Sequence, residues 1–446
     1  MPAAKQRESG NGQLRSFIRA LGPGLITGAA DDDPSGIGTH SQIGAQFGYG
    51  LSWTFVLSFP LMVVIQEVAA EIGCVTGVGI ARNLKRHYRS LLWPMVSLLL
   101  IANIVNLGAD LSAMGAAMAL LVGGNGGVYT LILGIFCISL EVGLSYPRYA
   151  SILKWTTLSL FTYVGVVMVA HVPWPHALRS LVVPELQWNA AYATALVAIL
   201  GTTISPYLFF WQAGQEIEEQ RRHHTKPLCI TPRKAGPELT RIRVDTLTGM
   251  AFSTIISLAI VFATAATLHA NGIRDIATSQ QAAEALRPIA GQFAFAMFAV
   301  GIIGTGLLAV PVLAGSAAYA VTEMAGVPGS LDAKPLSARL FYATIAVTTL
   351  AGASLNGIGI DPARALYWAA VVNGILAAPL MAVMMLIVRN PRAMGRLSVS
   401  NRTMLLGWAA TAPSTWFLAR TAAVRRSTTP PSRAEGRCAG SCLRGT

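Results

Sequence analysis

Charge is what this chain has least of. Only 12% of its 446 residues are Asp, Glu, Lys or Arg, and 53% are hydrophobic. A soluble domain carries about 25% charged residues. Half that charge, with a mean hydropathy of +0.53, excludes global disorder and argues against a soluble enzyme. Cysteine is also sparse, with five residues. Cys74 and Cys137 lie in apolar runs and Cys229 in a basic loop. Cys438 and Cys442 form an isolated CxxxC without the spaced Cys/His partners of a zinc site. No P-loop lysine motif, dinucleotide fingerprint in context or HExxH pair is present. Neither ATP-driven work nor a resident cofactor is therefore expected. No apolar core precedes Phe17, so residues 1–16 read as a polar tail and not as a secretory signal.

What the chain does have is long apolar runs. A bilayer-crossing helix needs about 20 mostly apolar residues, and eleven stretches qualify. Nine are uninterrupted: 51–74, 91–121, 128–144, 150–172, 245–268, 293–320, 338–355, 364–388 and 404–420. Two, 17–47 and 190–213, are broken in the middle. The 43 glycines and 23 prolines suit this reading, because membrane helices tolerate both. The expected organisation is a cytoplasmic tail at 1–16, a transmembrane domain at 17–420 and a disordered Pro/Ser/Thr/Arg tail at 421–446. Within the domain, one repeat covers about 17–172, a second about 190–388, and an extra helix follows at 404–420.

Basic residues fix the orientation. With the N-terminus inside, 23 of the 33 Lys and Arg fall on inner segments. Only Arg179, Arg274, Arg287 and Arg364 fall outside, and six lie in the tail from Arg420 onward. This asymmetry is a positive-inside signal. It accounts for most of the +13 net charge, so no nucleic-acid partner is expected. The expected setting is the plasma (inner) membrane with a cytoplasmic N-terminus. The partners are lipid and a transported ion, and no oligomer is required.

The two broken spans carry the functional signal. The first reads GPGLITGAADDDPSGIGTHSQIGAQFGYG, with Asp31, Asp32, Asp33 and Pro34 at midplane depth. A charge at the centre of a lone helix costs roughly 2.5–3.5 kcal/mol on insertion scales, so three carboxylates cannot all face lipid. The second reads ALVAILGTTISPYLFFWQAGQEIEE, with Pro206 flanked by Thr202, Thr203 and Ser205. Proline removes a backbone donor and breaks the helical ladder. Non-helical backbone at this depth must be covered by protein or line a wet cavity. Two breaks five spans apart indicate an inverted 5+5 repeat with its substrate between the unwound segments. Helix C-terminal carbonyls and carboxylates there favour a cation.

Three stretches, GPGLITGAADDDPSG, QEVAAEIGCVTGVGIA at 66–81 and TTISPYLFFWQAGQE at 202–216, together with LAGSAAYAVTE at 313–323, resemble the natural resistance-associated macrophage protein (NRAMP) family of divalent-metal transporters. The similarity runs from about residue 20 to 420. The resemblance implies an all-α polytopic membrane protein with a leucine-transporter-type inverted 5+5 repeat, about eleven transmembrane helices, and helices 1 and 6 discontinuous. The family's Asp-Pro-Gly-Asn motif would place the metal on Asp33, with Pro34 beside it and Gly36 at the asparagine position. Its Met-Pro-His motif would fall on Ser205, Pro206 and Tyr207. Carbonyl ligands would come from Ala30 and Thr202. Asp110 matches the first of an acidic pair implicated in proton relay, and Ala113 replaces the second.

These departures have a chemical meaning. A thioether is a soft donor that favours transition metals, whereas magnesium, calcium and manganese suit oxygen ligands. Ser205 removes the soft donor. Magnesium keeps several of its waters, so a roomier oxygen-rich site suits it. The pattern looks like the NRAMP-related magnesium-transporter branch, with Mg2+ and/or Mn2+ ahead of iron and without obligatory proton coupling. The alternatives are a proton-coupled Mn2+/Fe2+ importer of the usual NRAMP type and, from another class, a sodium-coupled organic-solute symporter. A channel and a membrane enzyme are weaker rivals, since no nucleophile converges with partners across spans.

Other polar residues support two readings each. Glu67 and Glu71 are four apart and share a helix face, lining the inner path or pairing with an arginine. Asn373, Asn103 and Asn106 either face the ion or make interhelical hydrogen bonds. Asp31 and Asp32 address the ion or its approach. His223 and His224 lie in a basic loop that reads as solvated.

Overall fold

Proline and glycine set where the helices start and stop. In the computed structural model, which describes residues 22–411 except 145, 188, 277–278, 356–361 and 398, the first span is two helices. Helix α1 (Pro23–Asp31) starts on a proline in its first turn. Asp32 (φ −86, ψ 55) leaves the helical region, and Asp33 (φ −69, ψ 165) is extended. Helix α2 (Pro34–Phe47) then restarts on Pro34, capped by the Asp33 side chain. Proline suits this first-turn position because its missing N–H has no intrahelical partner there.

Next come α3 (Trp53–Thr76), closed by Gly77 in the left-handed region (φ 67), the short amphipathic α4 (Ile80–His87), and α5 (Arg89–Val122). They are followed by α6 (Gly126–Gly143), α7 (Tyr146–Thr156) and, after a single 3-10 turn, α8 (Phe161–Val169). The short α9 (Trp174–Ser180) lies in the connection to the second half.

The second broken span repeats the pattern of the first. Helix α10 (Ala190–Thr203), capped by Asn189, ends where Ile204 (φ −117, ψ 76) leaves the helix. Ser205 (φ −85, ψ 113) is extended, and α11 (Pro206–Arg222) restarts on Pro206. The remaining helices are α12 (Ala235–Thr264), with a π turn at its end, α13 (Ser279–Ala325), kinked at Gly291, α14 (Arg339–Leu355), α15 (Pro362–Arg389), α16 (Pro391–Met394) and a helical segment at 401–411.

Among the described residues, seven helices are long and apolar enough to cross a bilayer, with α10–α11 counted together as Ala191–Arg222. The broken α1–α2 pair and the α14 and α15 spans supplement them. The chain is an all-helical integral membrane protein. The expected terminal segments 1–16 and 421–446, and the latter half of span 404–420, lie outside the described residues.

Helix α12 begins at Ala235, ten residues before the apolar run predicts. The added turns carry Arg241 and Arg243, which pair with Glu216 and Glu67 on neighbouring helices, and Glu238, which pairs with Arg241 one turn away on the same helix. An apolar-run reading stops at such charged turns.

The packing follows the repeat. Helices α1 and α2 lie against α12, as α11 lies against α3, and α5 packs on α13 between them. The α1–α12 crossing is close: a Cβ on Gly28 would lie 2.1 Å from the Gly249 carbonyl oxygen, and one on Gly24 2.8 Å from Asp245 backbone. Small residues let membrane helices approach in this way. The crossing holds half-helix α1, and with it the aspartate break, against the second repeat.

Candidate metal-ion site

Asp33 occupies the break between α1 and α2, and its carboxylate is well supplied with donors. The Gly36 amide donates to Oδ1 at 2.6 Å and the Ser35 hydroxyl at 2.7 Å. Tyr207, in the first turn of α11, donates to Oδ2 at 3.2 Å and to the Ala30 carbonyl at 3.1 Å. The tyrosine thus ties the two breaks together. The start of α2 also places Asp33 at a helix N-terminus, which favours negative charge.

Between the breaks lies a cavity of about 10 Å³ lined by Asp33, Ser35, Thr39, Asn106, Thr202, Ser205 and Asn373. That is room for roughly one water-sized body. Every lining side chain offers oxygen, and none offers sulfur or imidazole. Ser205 donates its hydroxyl to the Thr202 carbonyl at 3.0 Å. The Asn373 Oδ1 and both amide atoms of Asn106 are buried without a partner.

Asp110 on α5 stands just behind this cavity. Its Oδ1 accepts the Ser35 amide at 3.1 Å, and its Oδ2 is buried without a partner. Ser35 therefore connects the two carboxylates, by its hydroxyl to Asp33 and by its amide to Asp110.

Comparison with known proteins places the whole assembly. The family profile described as natural resistance-associated macrophage protein-like matches residues 24–420. The chain belongs to the Nramp family. Curated relatives include a protein named divalent metal cation transporter MntH from Burkholderia ambifaria, 27% identical over 409 residues, covering 89% of this chain and 86% of that one. A protein of the same name from Acidiphilium cryptum is 25% identical over 417 residues and covers 90% of each. Among solved structures, the Eremococcus coleocola manganese transporter, crystallised with an aromatic bis-isothiourea compound, superposes with a TM-score of 0.71 at 16% identity, covering 94% of this chain and 90% of that one. Mhp1, a nucleobase-cation-symport-1 family transporter, gives 0.51 at 13% identity over 90% of this chain and 93% of that one. These likenesses show the fold, shared with other transporters built on the inverted repeat. As an Nramp protein the chain is a membrane transporter and not an enzyme.

The fold brings Asp33, Thr202, Ser205 and Asn373 to the cavity wall, with Gly36 and Tyr207 hydrogen-bonded to Asp33, the Ala30 carbonyl accepting from Tyr207, and Asp110 one residue away. The other acidic residues point elsewhere. Asp31 and Asp32 face α12, where they accept from Ser253 and Ser257. Glu67 is paired with Arg243 at 2.8 Å. Asn103 donates to the Leu313 carbonyl and to Ser316, an interhelical bond to α13.

Sequence reasoning did not single out Ser35 and Thr39. They lie four apart, one helical turn on the same face, and that spacing downstream of Asp33 was the available signal. Cys74, Glu216 and Glu238 also present ligand atoms within 4.8 Å of one another. Arg241 bridges Glu216 at 2.5 Å and Glu238 at 2.8 Å, and Gln220 donates to the Cys74 sulfur at 3.2 Å. That cluster already has its cation, an arginine.

Proposed function

We propose that this Nramp protein is a secondary transporter that carries a hard divalent cation, Mg2+ ahead of Mn2+, by alternating access. Asp33 supplies the principal charge. Carbonyls at Ala30 and Thr202, the Ser205 hydroxyl and the Gly36 turn complete the surroundings. The observation that carries this reading is the all-oxygen lining of the cavity between the two breaks. Hard cations prefer such donors, and nothing soft is present to favour iron. The curated relatives named as divalent metal cation transporters support the cargo class.

A second reading, a proton-coupled Mn2+/Fe2+ importer, is favoured by one feature. Asp110 keeps a buried, unpartnered carboxylate oxygen one residue from Asp33. The setting we assign is the plasma (inner) membrane with the N-terminus in the cytoplasm, on the strength of the basic-residue asymmetry.

Uptake into proteoliposomes tests both readings. Mg2+, Mn2+ and Fe2+ are compared with and without a pH gradient. Asp33→Ala is expected to abolish flux, and normal transport by that variant would remove Asp33 from the site. Uphill metal movement driven by acidifying one side alone would establish the proton-coupled alternative.

A further inference from the structure

The last turns of α3, the first turns of α12 and the chain that follows α16 enclose a cavity of about 190 Å³. It shares no lining residue with the Asp33 cavity. Val75, Leu239, Met394, Leu397 and Val399 form its apolar wall. Glu71, Thr240, Arg243 and Ser400 supply its polar groups. A space of this size holds several waters or one small organic group.

Glu71 is the group in this cavity without a counterpart. It is 6% exposed, yet no hydrogen bond or ion pair engages its carboxylate among the described residues. The arginine of the cavity is spent elsewhere. Arg243 gives Nε and a terminal nitrogen to Glu67 Oε1, both at 2.8 Å, and acts on Glu71 only as a more distant charge. A buried carboxylate without a donor is costly, so the cavity is suited to a cation that carries its own N–H groups. A divalent metal ion needs about six oxygen ligands, and the lining side chains offer one carboxylate and two hydroxyls against five apolar groups. An ammonium brings several donors to one carboxylate, and its carbon chain can lie on the apolar wall. Thr240 already donates its hydroxyl to the Gly236 carbonyl, which leaves its oxygen to accept.

The cavity lies at the edge of the apolar spans. On α12 the charged turns with Glu238, Arg241 and Arg243 give way to the apolar run 245–268. Arg243 therefore stands where hydrocarbon meets headgroups. Its side chain is 58% exposed, so one side of the guanidinium stays open beyond Glu67. Thr240, Arg243 and Leu247 follow one another at helical spacing on one face, and Val244 and Leu247 are exposed. Outward from Glu71 the order is carboxylate, guanidinium and exposed apolar surface. That order complements the ammonium, phosphate and acyl chain of one lipid.

We propose that this cavity is a headgroup site for an ethanolamine phospholipid, with the ammonium on Glu71, the phosphate on Arg243 and an acyl chain along Leu247. A bound lipid would fasten the chain after α16 to α3 and α12. A choline headgroup has no N–H to give Glu71, and a glycerol headgroup has no cation. The site does not depend on which metal the protein carries.

Native mass spectrometry of the delipidated full-length protein tests this. Phosphatidylethanolamine, phosphatidylcholine and phosphatidylglycerol with identical acyl chains are offered in equal amounts. The unmodified protein is expected to retain the ethanolamine lipid about tenfold or more over the other two, as a hydrogen bond to a buried charge implies. Glu71→Gln should erase that preference. Leu397→Trp, which fills the apolar wall and leaves the carboxylate in place, should erase it too and serves if Glu71→Gln does not fold. Equal retention of the three lipids by the unmodified protein overturns the proposal, as does a preference that persists in either variant. Free ethanolamine phosphate binding as tightly as the lipid would overturn the membrane source. Displacement of the lipid by Mn2+ would make the cavity a metal site instead.

Discussion

The N-terminus of half-helix α1 is capped by one carboxylate, and removing it should loosen that helix alone. Asp245 on α12 accepts the Gly22 amide at 2.9 Å and the Gly24 amide at 2.8 Å. It therefore satisfies two of the N–H groups that a helix start leaves unpaired. Its charge also lies at the favourable end of the helix dipole. A hydrogen bond to a charged group is worth about 1.5–3 kcal/mol net, but water can replace part of it in Asp245→Ala because Gly22 is only part-buried. Loss of a helix cap costs about 0.5–2 kcal/mol. The expected net loss is about 2 kcal/mol, which is roughly 30-fold in an equilibrium. Amide hydrogen exchange followed by mass spectrometry reads this directly. The peptide covering residues 23–31 should exchange about 30-fold faster in Asp245→Ala, with α5 and α13 unchanged, and Asp245→Asn should fall between. Unchanged exchange in that peptide, or a uniform rise across the chain, would refute the assignment of Asp245 as the clamp on α1.

Two further substitutions test packing and selectivity. Gly28→Ala drives a Cβ into the backbone of Gly249 at 2.1 Å. It should cost about 1–3 kcal/mol by overpacking and lower the melting temperature. Gly143→Ala, whose Cβ would meet nothing within 4 Å, should stay within about 0.5 kcal/mol of the parent. Equal melting of the two variants would show that the α1–α12 crossing is not tight. Ser205→Met places a thioether beside the oxygen-lined cavity. Competition uptake should shift toward Mn2+ or Fe2+ over Mg2+ by roughly tenfold, about 1.4 kcal/mol. An unchanged ratio would show that donor softness at this position does not set selectivity.

The membrane class, the broken helices and the position of Asp33 were all legible in the residues, because each rests on a local property. Apolar run length answers to bilayer thickness. Pro34 and Pro206 break helices wherever they stand in a span, and two breaks at equivalent places imply a repeat without any knowledge of packing. Asp33 stood out because it adjoins the proline of the break and because the aspartate of the Asp-Pro-Gly-Asn motif falls on it. The charged first turns of α12 were not legible, since a charged segment reads as a loop until its partners Glu67 and Glu216 are brought beside it.

The three aspartates mark the boundary between the two kinds of information. Sequence alone placed three carboxylates at one depth and called for a cation. It gave them no separate directions, because a residue's side-chain direction at a helix break depends on dihedral angles that the neighbours decide. Tertiary structure separated them. Asp33 turns to Tyr207, Ser35 and the cavity between the breaks, whereas Asp31 and Asp32 turn to the serines of α12. Tyr207 lies 174 residues from Asp33 in the chain and Ser253 lies 222 from Asp31. Contacts across such separations belong to the fold, and no local pattern in the chain encodes them.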